Sequence, residues 1–348
     1  MLFWRYSTHT GSNMLHLSAS SSISKYRRSQ NSTSKPVLLL PFPIEKVQYP
    51  GASAPVPVGH DIQSLVCWIP KSSCTQFKAL ACRARYQRNE TLQRLLAVDP
   101  QAAHRSPCMD YAKQPNITAQ INEILQNRSD WSKVAIIRDP IERLISGWAS
   151  KCHPQSRSII KYGNRSCFDC GANFNCFVER SQDYFFKKYA FYRHDYTDNI
   201  HQASKSVSKT TTVTAFDHFM PQYWFCDFVH SLDQYLLLYY SSSVQFKTET
   251  RRSFGDILGF PRQLIDNGWG EDMSQPFLAE NSAKNRDRNY QQRAQLALRT
   301  NLSLVDIAFR TYYIDYIMFQ FDQPAFLRRL CDFDPRSEIF LVCRYFGQ

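Results

Sequence analysis

Glycine is scarce in this chain, 11 of 348 residues, and it is missing where a phosphate-binding loop ordinarily uses it. The stretch SLVCWIPKSSCTQFKALACRARYQ (64–87) reads as an apolar strand, a turn of small residues with one lysine, and a helix. That is the order in which α/β proteins often cradle phosphate. No Gly-x-x-x-x-Gly-Lys-Ser/Thr run occurs, which excludes a Walker A loop. No clear magnesium-binding carboxylate motif accompanies the turn, so an ATP-dependent kinase is disfavoured. Long hydrophobic runs are lacking too. MLFWRYSTHTGSNMLHLSASSS has no unbroken apolar core and VLLLPFPI (37–44) is short. Nothing approaches the ~20 consecutive apolar residues that a bilayer-crossing helix requires. A membrane anchor is therefore not visible in this chain. No internal repeat is found. Acidic residues are outnumbered 30 to 42, giving a formal charge of +12 and a pI near 9.2. This shortage of acid favours anionic partners, whether nucleic acid, acidic polysaccharide, nucleotide or lipid headgroup, and does not choose among them.

What is present narrows the choice. The chain is long enough to bury a large core, and 24 Phe and 19 Tyr at 43% hydrophobic content argue against disorder. There are eleven cysteines and six Asn-x-Ser/Thr sites, at Asn31, Asn89, Asn116, Asn127, Asn164 and Asn301. Together they point to the secretory lumen, with disulfides and glycans, and away from a nucleic-acid role. The odd cysteine count leaves at least one thiol free or paired between chains. The lumenal reading needs a targeting signal that the residues just described do not supply.

Residues 1–60, rich in Ser, Asn and Pro, read as a disordered or stem-like leader. Residues 61–348 read as one folded domain with a cysteine-rich insertion at about 152–176. Leu65–Ile69 is the first strand candidate and Thr75–Tyr86 the first helix. Val134–Ile137 has the unbroken apolar character of a central parallel strand covered on both faces. Pro140 sits where a helix can begin, and Ile141, Leu144, Ile145 and Trp148 follow at helical spacing. A second strand–turn–helix unit thus repeats the pattern of the first. Residues 182–193 read as an aromatic helix, DQYLLLYY as a strand, TRRSFGDILGF as a short helix ending in glycine, and 302–321 as a long core helix. Alternating strands and helices predict a three-layer α/β fold around a central parallel sheet.

Ligands of such sheets bind beyond the carboxyl ends of the strands. In the first unit Ser72, Ser73 and Cys74 let backbone amides approach an anion, and the helix from Thr75 adds its unpaired N–H groups. Lys71 adds a mobile charge; an ordinary turn with a solvated lysine is the competing reading. In the second unit Arg138 leaves the strand directly into the turn, suited to a bidentate grip on phosphate, with Ser146 two turns on. Arg143 is open to pairing with Asp139 or Glu142. Cys167-x-x-Cys170 has the spacing of zinc ligands, but among glycosylation sites disulfides are favoured and no metal site is assigned.

PKSSCT, followed some way on by RDPIERLISGW, resembles the two signature loops of the PAPS-dependent sulfotransferases. The likeness is to the Golgi carbohydrate sulfotransferases that act on chondroitin and related glycosaminoglycans. Two weaker matches are Asp217-His218 with Pro221-Gln222, and the segment Tyr312-Tyr313-Ile314-Asp315-Tyr316. The resemblance covers roughly residues 65–320. It implies a P-loop-like sulfotransferase fold, PAPS as cofactor, an acidic glycan or proteoglycan as partner, and the Golgi lumen as location. It further implies that Lys71, Ser72, Ser73, Cys74 and Thr75 hold the 5′-phosphosulfate, and that Arg138 and Ser146 hold the 3′-phosphate. Sulfuryl transfer needs the leaving oxygen neutralised and the acceptor hydroxyl deprotonated. Lys71 is assigned the first task and His218 the second, His218 being expected at a strand end after the VTAF run. His104 and Glu123 are rivals for the base. Lys284, Arg286, Arg288 and Arg293 form a basic cluster that suits glycan, cofactor or plain solvent. Tyrosyl-protein sulfotransfer, and an inactive lumenal glycan-binding protein, are the alternatives.

Overall fold

Among the described residues, four strands form one sheet, and its centre is built from the apolar runs seen in the sequence. The computed structural model describes residues 56–57, 63–85, 91, 94, 123–124, 127, 130–194, 216–241, 244–260 and 285–322, all within the unit Glu45–Gln348. Most of the expected leader, His104 and Lys284 lie outside the described residues. The strands are β1 (Val56–Pro57), β2 (Ser64–Cys67), β3 (Ser132–Arg138) and β4 (Leu236–Tyr240). They lie in the order β1-β2-β3-β4. β1 pairs antiparallel with β2, whereas β2, β3 and β4 run parallel, with Val66 opposite Val134 and Val134 opposite Leu236. The carboxyl ends of β2, β3 and β4 therefore share one edge.

The helices are α1 (Cys74–Arg85), α2 (Pro140–Lys151), α3 (Arg157–Tyr162), α4 (Phe174–His194), α5 (Val244–Ile257), α6 (Asn285–Thr300) and α7 (Leu302–Met318). Alternate residues of each strand face opposite ways, and the two faces are packed by different helices. Val66, Val134, Ile136 and Leu238 meet Phe77, Leu80 and Ala81 of α1 and Phe254 of α5. Ala135, Ile137 and Leu237 belong to a larger cluster with Leu144 and Trp148 of α2, Phe177 of α4, Leu298 of α6 and Phe309 and Tyr312 of α7. The result is the expected arrangement, a central parallel sheet flanked by helices. No helix among the described residues is long and apolar enough to cross a membrane.

Local chemistry explains the boundaries. Asp139 caps α2, its carboxylate accepting the Glu142 amide at 2.8 Å, and proline opens the helix. Gly259, with φ of 65°, follows the last turn of α5, and the Phe260 amide returns to the Gly255 carbonyl. Asn301 caps α7 by accepting the Leu304 amide at 3.1 Å. β3 is longer than its apolar run, since Ser132 and Lys133 pair with β2 and Arg138 with β4; Lys133, 8% exposed, sends its amine to the Gln234 side chain.

The cysteine-rich insertion carries two disulfides, Cys152–Cys167 and Cys170–Cys176. Cys167 and Cys170 thus belong to different bridges, and the spacing that suggested zinc ligands serves disulfides instead. The insertion is part of the core: Phe168 packs on Phe177, Tyr184, Phe185, Phe216 and Phe219. A third bridge, Cys67–Cys226, joins the end of β2 to the segment before β4. Closing so long a loop stabilises by about 5 kcal/mol in the chain-entropy account. Cys82 is also disulfide-bonded, and Cys74 is the free cysteine among the described residues.

Candidate functional site

Two turns leave the shared carboxyl edge from adjacent strands, and they form the candidate site. After β2, the Ser72 amide bonds back to the Ile69 carbonyl at 3.2 Å. Lys71 and Ser73 adopt left-handed backbone, φ 71° and 60°, without being glycine. Such residues cost on the order of 1 kcal/mol each. This strained turn leads from β2 into α1. Ser73 Oγ donates to Gln76 Oε1 at 2.9 Å and fastens the turn to the helix. Ser72 is fully buried and its hydroxyl has no hydrogen-bond partner. A buried orphan hydroxyl at a helix start is a place that an anionic oxygen would satisfy. The Cys74 thiol and Thr75 are half-buried beside it. The amine of Lys71 reaches across to Ser150 Oγ on α2.

After β3, the Arg138 guanidinium is only 12% exposed. Its Nη1 donates to the Lys71 carbonyl at 3.1 Å, and its Nε and Nη2 both reach Glu142 Oε2 at 3.3 Å. The group also lies over the Tyr240 ring, 5.7 Å from its centre. The first and second turns are thus joined directly through Arg138. On α2, Glu142, Ser146 and Ser150 recur every fourth residue and are all half-buried, one stripe along the helix beside Arg138 and Lys71.

Beneath these residues lies a buried polar scaffold that the sequence did not disclose. Arg143, fully buried, neither pairs with Asp139 nor with Glu142. It donates to the carbonyls of Pro70 at 2.8 Å, Asp217 at 2.9 Å and Met220. Burial pushes this guanidinium down, opposed by Tyr312 and Asp315. The Gln222 side chain reads the backbone of Arg138 from both sides: its Nε2 donates to the Arg138 carbonyl at 2.7 Å and its Oε1 accepts the Arg138 amide at 3.0 Å. Asp315 accepts the amides of Gln222 and Tyr223, both at 2.8 Å. Burial pushes Asp315 up to about 7, against the pull of those amides and of Arg143. Tyr312 OH donates to the Phe219 carbonyl, and Tyr316 OH to Asp139 Oδ2 at 3.0 Å. Burial also raises Asp139. The two weaker sequence matches therefore meet each other, and both meet the second turn.

His218 ends a single 3-10 turn, Phe216–His218, and is half-buried. Of the VTAF run only Phe216 is described, and it belongs to this turn, not to a strand. Gly147 lets the turn come this close. A Cβ there would meet the His218 carbonyl at 2.9 Å and the Phe219 ring at 3.0 Å. Arg143 holds the carbonyl just before Lys71 and the carbonyl just before His218, so one guanidinium relates the two segments. Glu123 is helical and exposed, and among the described residues no contact ties it to the site. Arg288 and Arg293 are exposed on α6, Arg293 over the Tyr290 ring. Among the described residues no cluster fit to hold a metal ion is found.

Comparison with known proteins adds the following. The family profile described as "Sulfotransferase family" matches residues 58–322. "Carbohydrate sulfotransferase chst-1" of Caenorhabditis elegans is 23% identical over 263 residues, 74% of this chain and 72% of that protein. "Uncharacterized protein C18B2.2" of the same organism is 26% identical over 201 residues, 56% of this chain and 48% of that protein. The chain thus spans less than half of the second relative. No solved structure matches.

Proposed function

The chain belongs to the sulfotransferase family, and from that premise we propose that it moves a sulfuryl group from PAPS to a hydroxyl of a carbohydrate. The acceptor class we propose is an acidic glycan, a glycosaminoglycan such as chondroitin, and the place of action the Golgi lumen. One observation carries the reading: two turns from adjacent parallel strands are joined by Arg138 Nη1 on the Lys71 carbonyl at 3.1 Å. A ligand with a phosphate at each end fits such a pair. The name of the carbohydrate sulfotransferase relative and the surplus of basic residues support a glycan acceptor.

PAPS, if held at the two turns, would supply a sulfuryl group on a leaving phosphate. The orphan Ser72 hydroxyl, with Ser73, Cys74, Thr75 and the first amides of α1, would hold its 5′ end. Arg138 and Ser146 would hold the 3′-phosphate. Lys71 neutralises the charge that grows on the bridging oxygen, and it leaves Ser150 to do so. His218 would take the proton of the acceptor hydroxyl as that oxygen displaces the bridging phosphate oxygen from sulfur, the 3′,5′-bisphosphate leaving with the broken bond's electrons. Radiolabelled PAPS offered with a panel of desulfated glycans tests this. Label is expected in a glycan, and Lys71→Ala and Arg138→Ala are each expected to lose about 100-fold or more in transfer. Transfer to tyrosine peptides and to no glycan overturns the carbohydrate acceptor. No transfer, with no binding of adenosine 3′,5′-bisphosphate, overturns the enzyme.

A further inference from the structure

The geometry points to Glu142 as an affinity-determining residue that competes with the nucleotide 3′-phosphate for Arg138; this rests on Arg138 being the ligand of that phosphate. An arginine grips phosphate through two neighbouring N–H groups. In Arg138 the pair Nε and Nη2 is already directed at Glu142 Oε2. Both contacts are 3.3 Å and fall on a single oxygen, longer than usual and short of a parallel two-oxygen fork. Such a pair is easily exchanged.

The surroundings say which partner moves. Arg138 stays, because its Nη1 is held by the Lys71 carbonyl, its guanidinium lies over the Tyr240 ring and its side chain is 12% exposed. The backbone of Glu142 also stays, its amide fixed by Asp139 Oδ1. The Glu142 carboxylate is 42% exposed and can swing into water. A dianionic phosphate takes the vacated donors and repels the carboxylate it displaces. Every ligand with a 3′-phosphate, donor and product alike, therefore binds less tightly than Arg138 alone would allow. A ligand without that phosphate leaves the ion pair intact and feels no competition. Weakening the product in this way speeds its departure.

Titration calorimetry with adenosine 3′,5′-bisphosphate and adenosine 5′-monophosphate tests the inference on the full chain. Glu142→Gln is expected to tighten the bisphosphate about two- to fivefold, the range that a half-exposed ion pair carries. The monophosphate affinity is expected to stay within about twofold. Glu142→Ala is expected to act in the same direction. Bisphosphate affinity that is unchanged or weaker in Glu142→Gln overturns the competition, provided that Arg138→Ala weakens it. If Arg138→Ala leaves bisphosphate affinity where it was, the assignment of the 3′-phosphate to Arg138 falls, and the competition with it.

Discussion

The two turns at the sheet edge keep their shapes by opposite means. The turn after β2 relies on backbone: Lys71 and Ser73 are held at positive φ, next to the start of α1 and the unpaired Ser72 hydroxyl. The turn after β3 has Asp139 at φ −45° and ψ 125°, a conformation that carries no such strain. Its precision comes from side chains, with Gln222, Tyr316 and the Asp139 cap all acting on it. A loop that binds through amides must shape its main chain. A loop that binds through a guanidinium must instead hold a strand end still. Arg143 is the member common to both, since it bonds to Pro70 ahead of the first turn and lies in the helix that follows the second.

The comparison is broken most directly at that common member. Arg143→Leu removes a buried cation from three carbonyls and leaves Asp315 without its counter-charge. A loss of about 3–5 kcal/mol is expected in urea unfolding. A loss under about 1 kcal/mol would mean that the two turns stand independently of the staple. Gly147→Ala comes next. In an exposed helix this change gains about 0.5–1 kcal/mol. Here the new methyl meets the His218 carbonyl, and a loss of about 1–3 kcal/mol is expected, with transfer activity falling further than the melting temperature suggests. The smallest effects sharpen the contrast between backbone and side chain. Ser73→Gly relieves a positive φ and is expected to gain about 0.5 kcal/mol. Ser146→Gly, inside α2, is expected to lose about 0.5 kcal/mol. Equal signs in the two denaturation midpoints would erase the distinction.

The parts of this structure that were legible beforehand are those set by neighbours in the chain. Val134–Ile137 is apolar without a break because helices cover both faces of β3, and the Asp139-Pro140 start of α2 is a local cap. Lys71, Arg138 and Ser146 stand out as candidates only when the two turns are taken together with the family resemblance. What escaped depends on segments far apart. For Arg143 the sequence offers Asp139 or Glu142 as partners, because its actual partners are carbonyls of residues 70, 217 and 220, which carry no side-chain signal. Gln222 and Asp315 were visible only as a weak likeness. The available clue was an acid in the middle of LSLVDIAFRTYYIDYIMFQF, where a buried helix has no use for one unless something donates to it. Gly147 offered a similar clue, a glycine in a stretch otherwise built to be helix. The 3-10 turn at His218 gave none, since three residues are too few for any periodicity.

Helix α7 reaches far back along the chain, across 93 residues from Asp315 to Gln222 and 177 from Tyr316 to Asp139. On the ribosome, both turns of the candidate site are finished long before Asp315 is made. A nascent chain, or one cut short ahead of α7, would hold every proposed ligand of the nucleotide and yet have nothing to receive the amides of Gln222 and Tyr223. Among the described helices, the last to emerge is thus what turns a chain that contains the candidate site's residues into one that holds them in place.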